Sequence, residues 1–159
     1  MSIENVRDYL KKSGYDTKII ELPQSSATVA LAAEALHTDP DRIAKTLAFL
    51  VDEKPIVIVV AGMRKIDNAK YRHKFGAKAK MISPDQLPEL VGHEMGGVCP
   101  FAVKPDVKIY LDESLKDYET VFPACGSSNS AIELKIPELE TLAAPCEWVQ
   151  VSKNSVEGN

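Results

Sequence analysis

Leu47-Ala48-Phe49-Leu50-Val51, the polar break Asp52-Glu53-Lys54-Pro55 and Ile56-Val57-Ile58-Val59-Val60 follow one another without interruption. Two β-rich apolar runs joined by a short polar turn read as a hairpin of buried strands. Working outward, Asp39-Pro40-Asp41-Arg42 is a helix-start signal with Asp at the N-cap and Pro at the first position, leaving room for about one turn. Helices are expected over 2–10, where Ile3, Val6 and Leu10 share a face, and over the alanine- and leucine-rich 29–36, with a short strand over 17–22 between them. Downstream, Asp67 caps a basic helix ending at Gly76, and a short strand follows over 79–82. Ser83-Pro84-Asp85-Gln86 then opens a helix to Val91. Strands are expected over 107–111, 119–122, 131–134 and 148–151, with a helix over 137–142. Clustered hairpin strands with interspersed helices predict an α+β fold: a mixed, largely antiparallel, curved sheet flanked by helices. A strict βαβ series does not fit.

The chain has 159 residues, 45% hydrophobic and 26% charged, which suits one soluble globular domain over 1–152 with a disordered tail over 153–159. No apolar run reaches the length of a membrane span, and the first residues lack a signal-peptide pattern, so a cytoplasmic location is expected. Cys99, Cys125 and Cys146 are odd in number and widely spaced, giving neither a disulfide framework nor a metal knuckle. Net charge is −4, yet Arg64, Lys65, Lys70, Arg72, Lys74, Lys78 and Lys80 lie within one short segment holding a single acid, Asp67. That segment reads either as a solvated helix face or as a patch that meets phosphates while the acidic remainder suppresses indiscriminate binding.

Two local oddities carry the chemistry. Gly96-Gly97-Val98-Cys99-Pro100-Phe101 is a rigid loop that few side chains obstruct, suited to presenting main-chain amides to a carbonyl or phosphate oxygen. Lys45 sits inside the apolar Ile43-Ala44-Lys45-Thr46-Leu47, where an ammonium needs solvent or an anionic partner. Together they suggest a site that grips an anionic ester. Competing motifs fail. His93-Glu94-Met95-Gly96-Gly97 lacks the second histidine of a zinc protease, and Gly126-Ser127-Ser128-Asn129-Ser130 is not a nucleophile elbow. His37, His73 and His93 read as surface residues. Cys99 has no histidine beside it in sequence and reads as a pocket-lining residue rather than a nucleophile.

Residues 27–36, Ile43-Ala44-Lys45-Thr46-Leu47, the 96–101 loop, and Gly126 through Ile132-Glu133-Leu134 together resemble the YbaK/EbsC/ProX family, which is similar to the editing insertion of bacterial prolyl-tRNA synthetase. The likeness covers nearly the whole chain and keeps its four landmarks in order. It implies hydrolysis, in trans, of the ester joining a wrong amino acid to tRNA, most simply tRNA(Pro) carrying a small residue such as alanine or cysteine. Carried over residue by residue, it implies catalytic roles for Lys45 and for Gly96, Gly97, Val98, Cys99 and Pro100, whose loop matches the family's G-x-x-x-P. It implies substrate contacts for Thr46, Phe101, Gly126, Ser127 and Ser128, with no metal and no cofactor. Arg64, Lys65, Lys70, Arg72 and Lys74 would then contact tRNA. Mischarged tRNA is the expected partner, with an aminoacyl-tRNA synthetase as a further one, and neither membrane nor DNA. The alternative class is a module that binds aminoacyl-tRNA or nucleotide without turnover, or regulates a synthetase. Three positions depart from the family pattern: Ala102 stands where many relatives have glycine, Cys99 where many have serine, and no histidine occurs around Ile20-Glu21-Leu22.

Overall fold

The computed structural model describes residues 2–145 and 147–154, so Cys146 and the last five residues of the expected tail lie outside the described residues. In chain order the elements are α1 (Ser2–Lys11), β1 (Ile20–Glu21), α2 (Val29–Leu36), β2 (Ile43–Val51), β3 (Lys54–Ala61), β4 (Arg64–Ile66), α3 (Asn68–Phe75), α4 (Leu87–Leu90), β5 (Lys108–Asp112), β6 (Thr120–Pro123), β7 (Ser130–Ala131), β8 (Leu134–Lys135), α5 (Ile136–Ala143), β9 (Glu147–Val149) and β10 (Ser152–Asn154). Six strands form one mixed sheet in the order β8-β6-β2-β3-β5-β9, and β1-β7 and β4-β10 form two small antiparallel ladders. The β2–β3 pairing is antiparallel, whereas β6 joins β2, β5 joins β3 and β9 joins β5 in parallel. No helix among the described residues is long and apolar enough to cross a membrane.

The hairpin is the spine of the fold. Its pairing runs from Ala44↔Ala61 to Val51↔Lys54, so the turn is just Asp52-Glu53. Both turn residues have positive φ (51° and 66°), matching the twist of a two-residue hairpin. Pro55 falls opposite Leu50, one pair beyond the turn, where its missing N–H costs no bond to β2. Val57, Ile58, Val59 and Val60 are fully buried, each such side chain stabilising by about 1.5–3 kcal/mol. Strand alternation splits β2 between two cores. Phe49 joins Ile58, Val60 and Tyr71 of α3 on one face, while Ala48 joins Val57, Ile82 and Leu87 on the other.

Several expected elements shrink where chain geometry intervenes. The strand over 17–22 is a single turn of 3-10 helix at Asp16–Lys18 followed by β1, which exists only where Ile20 and Glu21 pair with Ala131 and Ser130. The strand over 79–82 is one bridge, Phe49↔Met81. The helix from Ser83 divides into a 3-10 turn at Pro84–Gln86 and the four-residue α4. Pro88 interrupts its amide ladder, and Ser83 Oγ donates to Gln86 Oε1 at 3.0 Å rather than capping a backbone group. The strand over 131–134 is split into β7 and β8, and that over 148–151 is β9. Lys153, expected to begin a disordered tail, lies in β10 and pairs with Lys65.

Candidate functional site

A cavity of about 500 Å³ lies over β2, with residues 43–48 along one wall. Residues 26–29 and Ala32 close it from the start of α2, residues 81–84 and Leu87 from a second side, and Met95, Gly96 and Val98 from a third. The lining is mostly apolar. Ser26, Thr28, Lys45, Thr46, Ser83 and Ser130 are its polar members. Met81 and Met95 remain 61% and 69% exposed although they line it, so the rim is apolar on that side.

The glycine loop reaches the cavity through close backbone packing. A Cβ on Gly97 would sit 2.6 Å from the Gly126 carbonyl carbon, and one on Gly126 would sit 2.7 Å from the Ser2 carbonyl oxygen. Gly96, at φ +92°, faces Ala27 and Ser128, whose Cβ atoms would lie 3.2 Å from an added Cβ. Bare backbone at Gly97 and Gly126 thus lets the glycine loop, the 126–130 turn and the start of α1 touch. Gly97 donates its amide to Glu94 O (3.0 Å), so within the loop Gly96 and Val98 are the members on the cavity wall. Gly97, Cys99, Pro100 and Phe101 stand behind it; Cys99 and Phe101 are fully buried in the main core.

Lys45 lines the cavity, but its ammonium is held. It donates to Gly62 O at 3.0 Å and also to Arg64 O. Burial lowers its pKa, the nearby Asp41 opposes that shift, and Lys65 adds to it. Asp41 is itself buried. It accepts from the Met63 amide (2.8 Å) and the Tyr118 hydroxyl (2.7 Å), which pushes the Tyr118 phenol up to about 12. Beside Lys45, the Thr46 hydroxyl is buried without a partner among the described residues.

The serine-rich turn is structural in its details. Ser127 Oγ donates to Ser130 Oγ (2.7 Å), Ser128 O accepts from the Ser26 amide (2.6 Å), and Asn129 Nδ2 donates to Leu22 O (3.1 Å). Ser130 and Ala131 reach the cavity wall in place of Gly126, Ser127 and Ser128.

His93 is not a surface residue but is 1% exposed. Its Nε2 lies 2.7 Å from Phe101 O and 3.5 Å from Cys99 Sγ, so a histidine does stand beside Cys99. A carbonyl only accepts, so Nε2 carries the proton and Nδ1 accepts from the Ser2 hydroxyl, which it meets closely. Burial lowers the His93 pKa, and the same burial pushes the Cys99 thiol up to about 12. A buried, protonated thiol beside a neutral imidazole, outside the cavity lining, is not an activated nucleophile. Sequence offered little warning of this arrangement, because Ser2 lies 91 residues from His93.

The basic residues are unequal. Arg64 pairs with Asp117 at 2.7 Å and lies 3.7 Å from Asp41; Lys74 pairs with Glu147; Lys70 donates to Ser152 O at 3.0 Å. Lys65 and Arg72 are exposed.

Residues 24–142 match the family described as the aminoacyl-tRNA editing domain. The chain is 47% identical over 155 residues to an uncharacterized Bacillus subtilis (strain 168) protein, YwhH, covering 97% of this chain and 99% of that one. It is 35% identical over 104 residues to the proline–tRNA ligase of Shouchella clausii (strain KSM-K16), covering 65% of this chain but only 18% of the ligase. Among solved structures, a protein described as a candidate trans-editing enzyme for prolyl tRNA synthetase superposes with a TM-score of 0.85 at 27% identity, covering 96% of this chain and 97% of that one. With these likenesses spanning the cavity, its loop and Lys45, the chain belongs to the aminoacyl-tRNA editing-domain family.

Proposed function

We propose that this protein is a trans-acting deacylase that hydrolyses the ester of mischarged tRNA, with tRNA(Pro) carrying alanine or cysteine as its substrate. The observation that carries the reading is the cavity's composition: a main-chain loop and one lysine on an apolar wall, with the thiol of Cys99 buried behind it. Such a site supplies binding and electrostatic stabilisation rather than a side-chain nucleophile. Attack by water builds negative charge on the ester carbonyl oxygen, and we assign its stabilisation to the amides of Gly96 and Val98, the loop members that line the cavity. An aimed donor of this kind typically contributes about 2.7–4 kcal/mol. Lys45 holds the phosphate or ester region of the terminal adenosine. Apolar walls suit a small side chain, and size differences of one methylene are worth only ~1–3 kcal/mol, so rejection of proline depends on crowding near the loop. Likeness to part of the proline–tRNA ligases supports tRNA(Pro) as the carrier.

A second reading, binding without turnover, draws on the Lys45 ammonium being bound to Gly62 and Arg64 carbonyls. A deacylation panel of Ala-, Cys-, Ser- and Pro-tRNA(Pro) separates the two. Loss of alanine or cysteine with cognate Pro-tRNA spared supports the enzyme; binding with no ester loss from any species supports the binding module.

A further inference from the structure

Of the basic residues expected to contact tRNA, Arg64, Lys70 and Lys74 are engaged within the protein. Lys65 is placed differently. Its partner across the β4–β10 ladder is Lys153, with Ser152↔Ile66 and Asn154↔Arg64 on either side. Directly opposed residues of an antiparallel pair share a face, with Cβ atoms about 4.5–5.5 Å apart. Ile66 packs toward the core, so alternation turns Lys65 and Lys153 outward. Both are exposed, and neither side chain meets an acceptor among the described residues. Asp67, the N-cap of α3, accepts from the Lys70 amide at 3.0 Å, and the Lys153 charge helps hold its pKa low, but no hydrogen bond or ion pair joins the Asp67 and Lys153 side chains among the described residues.

Two like charges opposite one another oppose the ladder that holds them. A chain of net charge −4 that keeps such a pair presents a local site for an anion. The ribbon also begins at the cavity. The Lys45 ammonium is bonded to the carbonyl of Arg64, the residue before Lys65. Elsewhere the rim carries the exposed, uncharged Met81 and Met95.

An aminoacyl ester sits on the terminal ribose, and that nucleotide has a single phosphodiester, on its 5′ oxygen. The RNA therefore leaves the cavity in one direction only. We propose that it leaves past Lys45 and over the β4–β10 ribbon, with Lys65 and Lys153 gripping phosphates of the unpaired nucleotides that precede the terminal adenosine. This exit rests on the deacylase reading, and it assigns a binding role to the C-terminal strand.

The test measures binding of fluorescent tRNA(Pro) transcript, intact or lacking its 3′ CCA, across a salt series. Lys65→Gln combined with Lys153→Gln weakens binding of intact tRNA roughly tenfold, and flattens the log–log salt slope by about 1.4, for two single-strand phosphate contacts. With trimmed tRNA the variant and the wild type bind alike. Lys153→Arg, which keeps the charge, binds as wild type does, and so does Lys108→Gln, which removes an exposed lysine of β5. The double variant removes both the repulsion between the two lysines and the attraction of Lys153 for Asp67, and its thermal melt, measured alongside and expected to stay cooperative, separates weaker binding from misfolding. Equal affinity and slope for intact tRNA would overturn the exit path, as would an equal loss with trimmed tRNA. If wild type still deacylates in either case, the functional reading stands while the exit path falls; a wild type that neither binds nor deacylates any tRNA ends both.

Discussion

The imidazole Nε2 of His93 lies 2.7 Å from the carbonyl oxygen of Phe101, and this one bond spans the loop that carries Gly96 and Val98. A backbone bond from the Lys104 amide to Val91 O (2.9 Å) closes the same neck one step further out. Through Nδ1 the ring also takes the Ser2 hydroxyl, tying α1 to the loop.

His93 therefore ties down the loop proposed to supply the oxyanion donors. His93→Gln places an amide nitrogen where Nε2 stood and keeps the bond to Phe101 O; His93→Leu does not. The expected result is a kcat loss of 10-fold or more for the leucine variant, with KM little changed and most of the rate rescued by glutamine, the magnitude following from a loosened oxyanion donor. Equal kcat in all three proteins would remove this role.

The same ring sets a pH dependence of stability. Burial holds its folded-state pKa below the ordinary histidine value of about 6.5, so the unfolded chain takes up the proton first. The contribution is complete above about pH 6.5 and is lost as pH falls below it. Cys99, the thiol in contact with the ring, has its pKa pushed up to about 12 and stays protonated throughout. Melting temperature should fall between pH 6.5 and 5 in wild type and fall less in His93→Gln. Parallel curves for the two proteins would show that His93 does not titrate as described.

Ala102 has φ +55°, a left-handed conformation that explains why a glycine suits this position. The strain for an L-residue is ~1–2 kcal/mol, and the extra chain entropy of glycine returns ~0.5–1 of it. Ala102→Gly should thus stabilise by about 0.5–1 kcal/mol, read by denaturant midpoint. A lower midpoint would contradict the strain.

Tyr71 is fully buried between Phe49 and Phe75, with ring centroids 5.2 and 4.7 Å away, and its hydroxyl lacks a partner among the described residues. A buried donor left unpaired costs about 1–3 kcal/mol, so Tyr71→Phe should raise stability by about 1 kcal/mol. Destabilisation on thermal melting would mean the hydroxyl is satisfied.

What was legible in the sequence is local. The β2–β3 hairpin, α2 and the capped basic helix α3 all announce themselves within a few residues, because turn chemistry, capping and strand pattern are short-range signals. The cavity's Lys45 and Gly96 were legible as exceptions to such patterns: a cation in an apolar run and paired glycines before a proline. Long-range partners were not legible. The carbonyls that hold Lys45 come from Gly62 and Arg64, beyond a strand reversal, and the groups around His93 come from Ser2 and Phe101. Ser127 and Ser128 carry the right chemistry for substrate contact, yet their hydroxyl and carbonyl serve the turn, and Ser130 reaches the wall. Only the tertiary fold decides which polar groups are left for a ligand.

On the proposed mechanism, Lys45 and the 96–101 loop promote hydrolysis of an aminoacyl ester without a side-chain nucleophile. Its most direct test is single-turnover deacylation of Ala-tRNA(Pro) by wild type, Lys45→Ala and Cys99→Ala, with stability measured on each. Because the Lys45 ammonium also bridges two carbonyls, Lys45→Ala should cost about 1–2 kcal/mol of stability while leaving the protein folded. The expected result is rapid ester loss with wild type, a rate near wild type with Cys99→Ala, and a rate at the uncatalysed level with folded Lys45→Ala. An undiminished rate in Lys45→Ala, or a rate abolished in folded Cys99→Ala, would contradict it.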